Sequence, residues 1–282
     1  MILIDYSAIA IANVAQSKTV IQEDTVRHMI LNSIRMYKKK FKDYGQVVIV
    51  ADGKHNWRKD YYPQYKFKRK AVREESKIDW PEAFRIINLV REELAEYFPY
   101  KVMNIDGCEA DDSIAHIVYN SQEFGKWEDV MIISGDHDFI QLHQFSNVKQ
   151  FSPITKKLVQ HPDPHYKLKE HVLRGCSGDG VPNVLSHDDQ FVSGERMPAL
   201  SQKRVDAWIA SADMRKDMGE VIYSRWVRNK KLIDLTSTPE AIIKDIIDTF
   251  ESQDPSKNSS KVLNYLIKKR CRLLIECAQE FI

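Results

Sequence analysis

The chain has 282 residues, 43% apolar and 29% charged, with a formal net charge of only +2. That is enough for one large α/β domain with a helical annex and an ample core, and it excludes a disordered or fibrous chain. No run of 18 apolar residues occurs, so no membrane span is expected.

The start, MILIDYSAIA, lacks a basic leader and carries Asp5; it reads as a first core strand and not as a signal peptide. The four cysteines, Cys108, Cys176, Cys271 and Cys277, form no C-x-x-C pair, so a structural zinc site is not expected and reduced thiols in a cytoplasmic protein are.

In chain order, residues 2–4 are a short apolar run, and 25–44 have helical spacing ended by Gly45. A second apolar run covers 47–51. A basic stretch occupies 54–80, and Pro81 opens a helix with an apolar face through Phe84, Ile87, Leu94 and Phe98. A third run covers 100–105, a helix 110–124, and a fourth run 130–133. Strands alternating with helices predict a mostly parallel sheet covered on both faces. Beyond residue 153, strand signals fade after 158–159. Helical patterns take over at 166–174, 201–212, 214–228, 239–250 and 262–281. The predicted division is an α/β part, 1–153, followed by a helical part, 154–282.

All four early strands end in acid: Asp5, Asp52, Asp106 with Glu109, Asp111 and Asp112, and then Asp136 and Asp138. Functional groups collect beyond the carboxyl ends of parallel strands. Any single aspartate here can be a helix cap, and Asp106 and Asp112 read best as cap or surface. Four such endings together predict a convergent cluster, and clustered carboxylates need a counter-cation. Oxygen donors without a His/Cys set suit magnesium or manganese. Two ions about 4 Å apart would suit phosphodiester hydrolysis, one activating water and one steadying the leaving oxygen. His137, between two aspartates, is expected to face away from them.

The near-neutral total hides a local excess. Residues 54–77 hold nine cations (Lys54, Arg58, Lys59, Lys66, Lys68, Arg69, Lys70, Arg73, Lys77) against three acids. Trp57, Tyr61, Tyr62, Tyr65 and Phe67 are interleaved with them. Cations for phosphates plus aromatic faces for bases predict a single-strand nucleic-acid surface, inserted at the edge of the acid cluster.

Together these residues resemble the 5′-nuclease superfamily: flap endonucleases, the 5′-nuclease domains of bacterial DNA polymerase I, and phage 5′-exonucleases. The strings WRKDYYPQYKFKR, CEADD, SGDHDFIQLH, NVKQFSP and, at 194–198, GERMP point to its phage branch. The resemblance implies metal ligands at Asp5, Asp52, Glu109, Asp111, Asp136 and Asp138, with Asp112 as a weaker candidate. It implies a helical arch over 54–80 in which Lys66 and Arg69, after Tyr65, contact the scissile phosphate, with Arg58, Lys68 and Arg73 as further nucleic-acid contacts. It also implies a helix–three-turn–helix around GCSGDGVPN that grips duplex through backbone groups at Gly178 and Gly180 and through a potassium ion. Asp179 takes one acid of that motif, but Cys176 stands where the other is expected, which would weaken the second metal site. The implied activity is 5′→3′ removal of RNA primers and adjoining DNA, with flap cleavage, from nicked or branched DNA and RNA–DNA hybrids. A single-stranded-DNA-binding protein and a sliding clamp are the implied partners. Two other readings stay open: a PIN-type endoribonuclease, and a structure-specific DNA-binding protein made silent by the missing acid.

Overall fold

The computed structural model describes residues 1–16, 21–194 and 196–282. Glu195, inside the 194–198 string, therefore lies outside the described residues. The elements, in chain order, begin with β1 (Ile2–Asp5), α1 (Tyr6–Gln16), α2 (Glu23–Lys40), β2 (Val47–Val50), α3 (Trp57–Tyr61), α4 (Lys68–Glu74), α5 (Trp80–Tyr97), β3 (Lys101–Met103), α6 (Ala110–Ser121) and β4 (Val130–Ile133). A 3-10 helix, His137–Gln144, leads to β5 (Val148–Ser152) and β6 (Lys157–Val159). The remainder is helical: α7 (Pro164–Arg174), α8 (Gln190–Ser193), α9 (Gln202–Ile209), α10 (Met214–Met218), α11 (Glu220–Ile233), α12 (Glu240–Ser252), α13 (Val262–Lys268) and α14 (Arg272–Ile275).

The expected α/β architecture with a mostly parallel sheet is present. The strand order is β3-β2-β1-β4-β5-β6, with only β6 antiparallel. Ile2, Ile4, Val47 and Ile49 feed one core, with α1, α2 and α5; Leu3, Val48, Val50 and Ile132 feed the other, with α6 and α12. Burial on both faces is why these strands read as unbroken apolar runs. The chain steps outward from β1 to β2 to β3, then returns to place β4 on the other side of β1. The β1/β4 boundary is thus the point where connections diverge, which opens a crevice beyond the strand ends.

Three local expectations are corrected. The opening strand stops at Asp5, and α1, unforeseen, starts at Tyr6. Residues 25–44 are not one helix: α2 ends at Lys40, and a 3-10 turn follows before Gly45, whose φ of +83° closes it. The patterns at 214–228 and 262–281 are each broken, the first at Gly219 (φ +74°) and the second near Arg270 (φ +53°).

The two-part division also needs adjusting. Residues Val262, Tyr265, Leu266, Leu274 and Phe281 pack into the α1/α2/α5 core, and Leu235 and Ile246 into the α6 core. The chain from about 235 onward therefore returns to clamp both sheet faces. Only α7 to α11 form a separate helical region, around Leu173, Val184, Val205 and Trp208.

Candidate active site

The strand register lines up the acids. Asp5 pairs with Val50 at the end of β1 and β2, and Ile4 with Ile133 at the end of β4. Asp5, Asp52 and Asp136 therefore leave the same edge of the sheet. Asp5 is the N-cap of α1, its Oδ1 accepting from Ala8 N at 3.0 Å, and its Oδ2 accepts from Ser134 Oγ at 2.9 Å. Asp52 Oδ1 accepts from Ala110 N at 3.0 Å, at the positive start of α6. Asp136 Oδ1 accepts from Asp138 N at 2.9 Å. Capping and clustering are not alternatives here; the same carboxylates do both.

Asp111 lies among them. Burial first, then Asp136, Glu109 and Asp5, push its carboxyl well above the ordinary range, against the opposing field of Lys66. Among the described residues no hydrogen bond reaches it. Asp5 is pushed up to about 7, by burial and then by Asp52 and Asp136, against its bonds from Ala8 and Ser134. Asp136 is raised by burial and by Asp138 and Asp179. These mutual shifts mark one electrostatic cluster drawn from four strand ends.

Lys66 is the cation within it. Its side chain is 9% exposed, and its ammonium binds Glu109 Oε1 and lies 3.5 Å from Asp179 Oδ1. Burial disfavours the charge, but Glu109, Asp179 and Asp111 more than offset it and hold the ammonium protonated. Tyr65 Oη donates to Glu109 Oε2 at 2.8 Å, and Arg69 Nη2 to Asp179 Oδ1 at 2.8 Å. Lys66 has φ +57°, and its N–H donates to Asp179 O at 2.7 Å. As they stand, no three His, Cys, Asp or Glu groups among the described residues converge on one point as ligands would. The donor set nevertheless fits a hard divalent cation: the groups are all carboxylates, and Asp111 is left without a donor.

Several predicted residues fall elsewhere. Asp112 is fully buried and turned from the cluster: Arg58 grips it through two bonds of 2.7 and 2.8 Å, and Thr238 Oγ1 and Glu109 N add 2.7 and 3.0 Å. These partners take up its oxygens and hold it in the fold. Arg58, 2% exposed, also donates to Leu232 O, so its guanidinium is engaged within the fold. Trp57, Tyr62 and Tyr65 are buried, leaving Tyr61 and Phe67 as exposed aromatics of the stretch. The basic stretch is thus less a stacking surface than a seam, sewn to the 175–181 turn. Lys68 Nζ lies 4.9 Å from the Phe191 ring centroid.

A Cβ at Gly180 (φ +70°) would meet Gln64 O at 2.9 Å, so that glycine serves the crossing of the 64–66 backbone and not a phosphate. A Cβ at Gly178 would touch only Cys176 Sγ, at 4.0 Å, so Gly178 keeps an open approach. Asp106 is exposed and pairs with His55, and His137 is exposed beside the site.

Sequence reasoning missed His171, on α7. Its Nδ1 lies 3.0 Å from Asp138 Oδ1, and although burial opposes it, Asp138 and Cys176 push its pKa up to about 10. With Cys176 and Asp136 it lines a cleft of about 430 Å³. Ser134 and Gln150 were missed too; Gln150 Nε2, on the unforeseen β5, holds the carbonyls of Ser134 and Asp136 at 2.9 and 2.6 Å.

An acid cluster at the switch point of a parallel sheet, edged by a basic insertion, defines a nuclease of the 5′ class, and the comparisons agree. The family described as 5′-3′ exonuclease, N-terminal resolvase-like domain, matches residues 1–170, and the one described as T4 RNase H, C terminal, matches 163–281. The chain belongs to the 5′-3′ exonuclease family. It is 35% identical over 292 residues to the ribonuclease H of Enterobacteria phage T4, covering 99% of this chain and 95% of that protein. In fold it is similar to the bacteriophage T5 flap endonuclease crystallised with DNA and metal ions (TM-score 0.61, 17% identity, 89% and 99% of the two chains). It is equally similar to the T5 5′-exonuclease with bound zinc (TM-score 0.62, 18% identity, 89% and 98%).

Proposed function

We propose that the chain hydrolyses phosphodiesters at 5′ ends and flaps of RNA–DNA and DNA duplexes, removing RNA primers and adjoining DNA in replication. The observation that carries this is Asp111, in the field of Asp5, Glu109 and Asp136 and without a hydrogen-bond donor among the described residues, an arrangement that repels itself unless a cation joins it.

Asp5, Asp52, Glu109, Asp111, Asp136, Asp138 and Asp179 are the residues that would hold two divalent cations, magnesium or manganese. Bound there, the ions would supply Lewis-acid polarisation of the phosphate and an activated water. The chain's own groups do the rest. Lys66, released from Glu109 and Asp179, and Arg69 donate to the phosphate as charge builds on it. Ser134 and the start of α6 fix Asp5 and Asp52, so the acids do not swing as the substrate arrives. The 175–181 turn, with Gly178 open, and helices α7 to α11 would hold the duplex, and a potassium ion bound at the turn would add charge for its phosphates. The family reading adds a single-stranded-DNA-binding protein and a sliding clamp as partners, and the host cytoplasm as the place of work. No described helix is long and apolar enough to cross a membrane.

The test is incubation with 5′-labelled flaps and nicked RNA–DNA hybrids, with magnesium or with EDTA. Short 5′ products that appear only with magnesium support the reading. Intact substrate under both conditions would leave a DNA-binding protein without catalysis; cleavage of unpaired RNA away from ends would favour a PIN-type endoribonuclease.

A further inference from the structure

Beside Asp52 lies a small cavity of about 150 Å³ between α1, α4 and α5. Three arginines, Arg69, Arg73 and Arg91, line it together with Tyr6 and Ile87. Arg91, from α5, was not singled out in the sequence.

These cations are not spent on carboxylates. Among the described residues the Arg73 guanidinium makes no hydrogen bond or ion pair, only approaches to the Phe84 and Trp80 rings at 4.9 and 5.8 Å. Arg91 donates to Asn88 Oδ1 at 2.9 Å and otherwise lies 3.9 Å from the exposed Glu92. Arg69 gives one nitrogen to Asp179 and keeps its other donors. A guanidinium carries five N–H donors, so most of the donors in this pocket are uncommitted. The one carboxylate among its lining residues is Asp52, whose Oδ1 accepts from Ala110 N. Gathering three positive groups costs repulsion, and Arg73 already holds its proton less firmly because of burial and Arg69. An anion relieves this.

Size selects the anion. A cavity of this volume holds about five waters at ~30 Å³ each. That admits one phosphate group with some water, not a nucleoside as well. Planar guanidiniums match phosphate oxygens in pairs.

We propose that Arg69, Arg73 and Arg91 form a pocket for a single phosphate of the 5′ strand, next to the hydrolytic site. The proposal rests on the nuclease reading and adds to it a positioning site. The phosphate is either the terminal monoester of a 5′ end or an internal diester of a threaded flap. A terminal group would set how far the strand enters, and hence product length.

The experiment measures binding, in EDTA, of fluorescent nicked RNA–DNA hybrids ending in 5′-phosphate or 5′-hydroxyl, and of a long 5′ flap, to the full chain and to Arg91→Ala and Arg91→Lys. A terminal site predicts that 5′-phosphate binds about tenfold tighter, that Arg91→Ala erases the preference, and that Arg91→Lys retains part of it. An internal site predicts no end preference, but a salt slope for flap binding that falls by about one in Arg91→Ala. An unchanged preference and an unchanged slope in a variant of normal melting temperature overturn the pocket. If Arg91→Ala melts early, Arg73→Ala, on the exposed α4, is read in the same way. Cleavage by the same preparations with magnesium is scored separately, so an inactive protein counts against the nuclease reading while the binding data still judge the pocket.

Discussion

Asp111 and Asp112 are neighbours on the first turn of α6, yet they belong to opposite kinds of region. Asp112 is in a knot that joins α3, α6 and the 235–238 turn: Arg58, Thr238 and a backbone N–H take up its oxygens, and its pKa falls despite full burial. Asp111 faces other acids, has no donor among the described residues, and its pKa rises. Asp112 is fully buried and Asp111 partly so, and desolvation opposes the charge on both, so desolvation alone does not set the direction in which each pKa moves. What separates them is whether the protein itself provides the compensating partner. Where it does, the carboxylate binds the fold together; where it does not, the site awaits something from outside.

The contrast can be broken most sharply by substitution. Asp111→Asn and Asp136→Asn should cut cleavage by a factor on the order of 10³ or more, while the folded state persists. Full activity in a purified Asp136→Asn protein would refute the metal-holding cluster. On the other side of the pair, Arg58→Ala should cost about 3–5 kcal/mol, because it strands Asp112 in the interior. Chemical denaturation checks this, and a loss below about 1 kcal/mol would mean that Asp112 reaches water.

Lys66 lies between the two regimes, a cation supplied by the chain and paired with Glu109 and Asp179. Lys66→Met should therefore tighten magnesium binding about tenfold, as one buried opposing charge is removed, while lowering turnover. Calorimetry and single-turnover rates separate the two effects; unchanged metal affinity would show that the ammonium does not compete for Glu109.

A smaller effect concerns pH. Asp5 is raised from the usual carboxylate range to about 7, so the folded state binds its proton more tightly than the unfolded chain does. That contribution is fully present below about pH 4 and is lost as pH rises through about 7. Metal-free protein should therefore melt at lower temperature at pH 8 than at pH 6, and magnesium should reverse the trend. A melting temperature that rises over that interval without metal would contradict the repulsion described.

Much of the site was legible because parallel strands convert a linear pattern into a spatial one: each apolar run ending in acid maps to one edge of one sheet. The same logic carried the fold, since strands buried on both faces are simple to read. The misses have physical causes. α1 follows β1 without a break, so the start MILIDYSAIA reads as strand alone and the helix from Tyr6 is not apparent in it. β5 holds Lys149 and Gln150, which hid it. Asp112 and Arg58 carry the letters of a site, but their pairing, 54 residues apart, is decided by packing. His171 carries no strand or motif signal; only the docking of α7 beside the 3-10 helix brings it to Asp138. The aromatics of the basic stretch suggested stacking, and three of the five are instead buried.

The most direct test is a magnesium or manganese titration, by calorimetry, of the unsubstituted chain beside Asp111→Asn and Asp112→Asn proteins that remain folded. Loss of divalent-ion binding by tenfold or more in Asp111→Asn, with Asp112→Asn close to the unsubstituted chain, is the predicted result. Equal binding by all three, or greater loss in Asp112→Asn, would contradict the account.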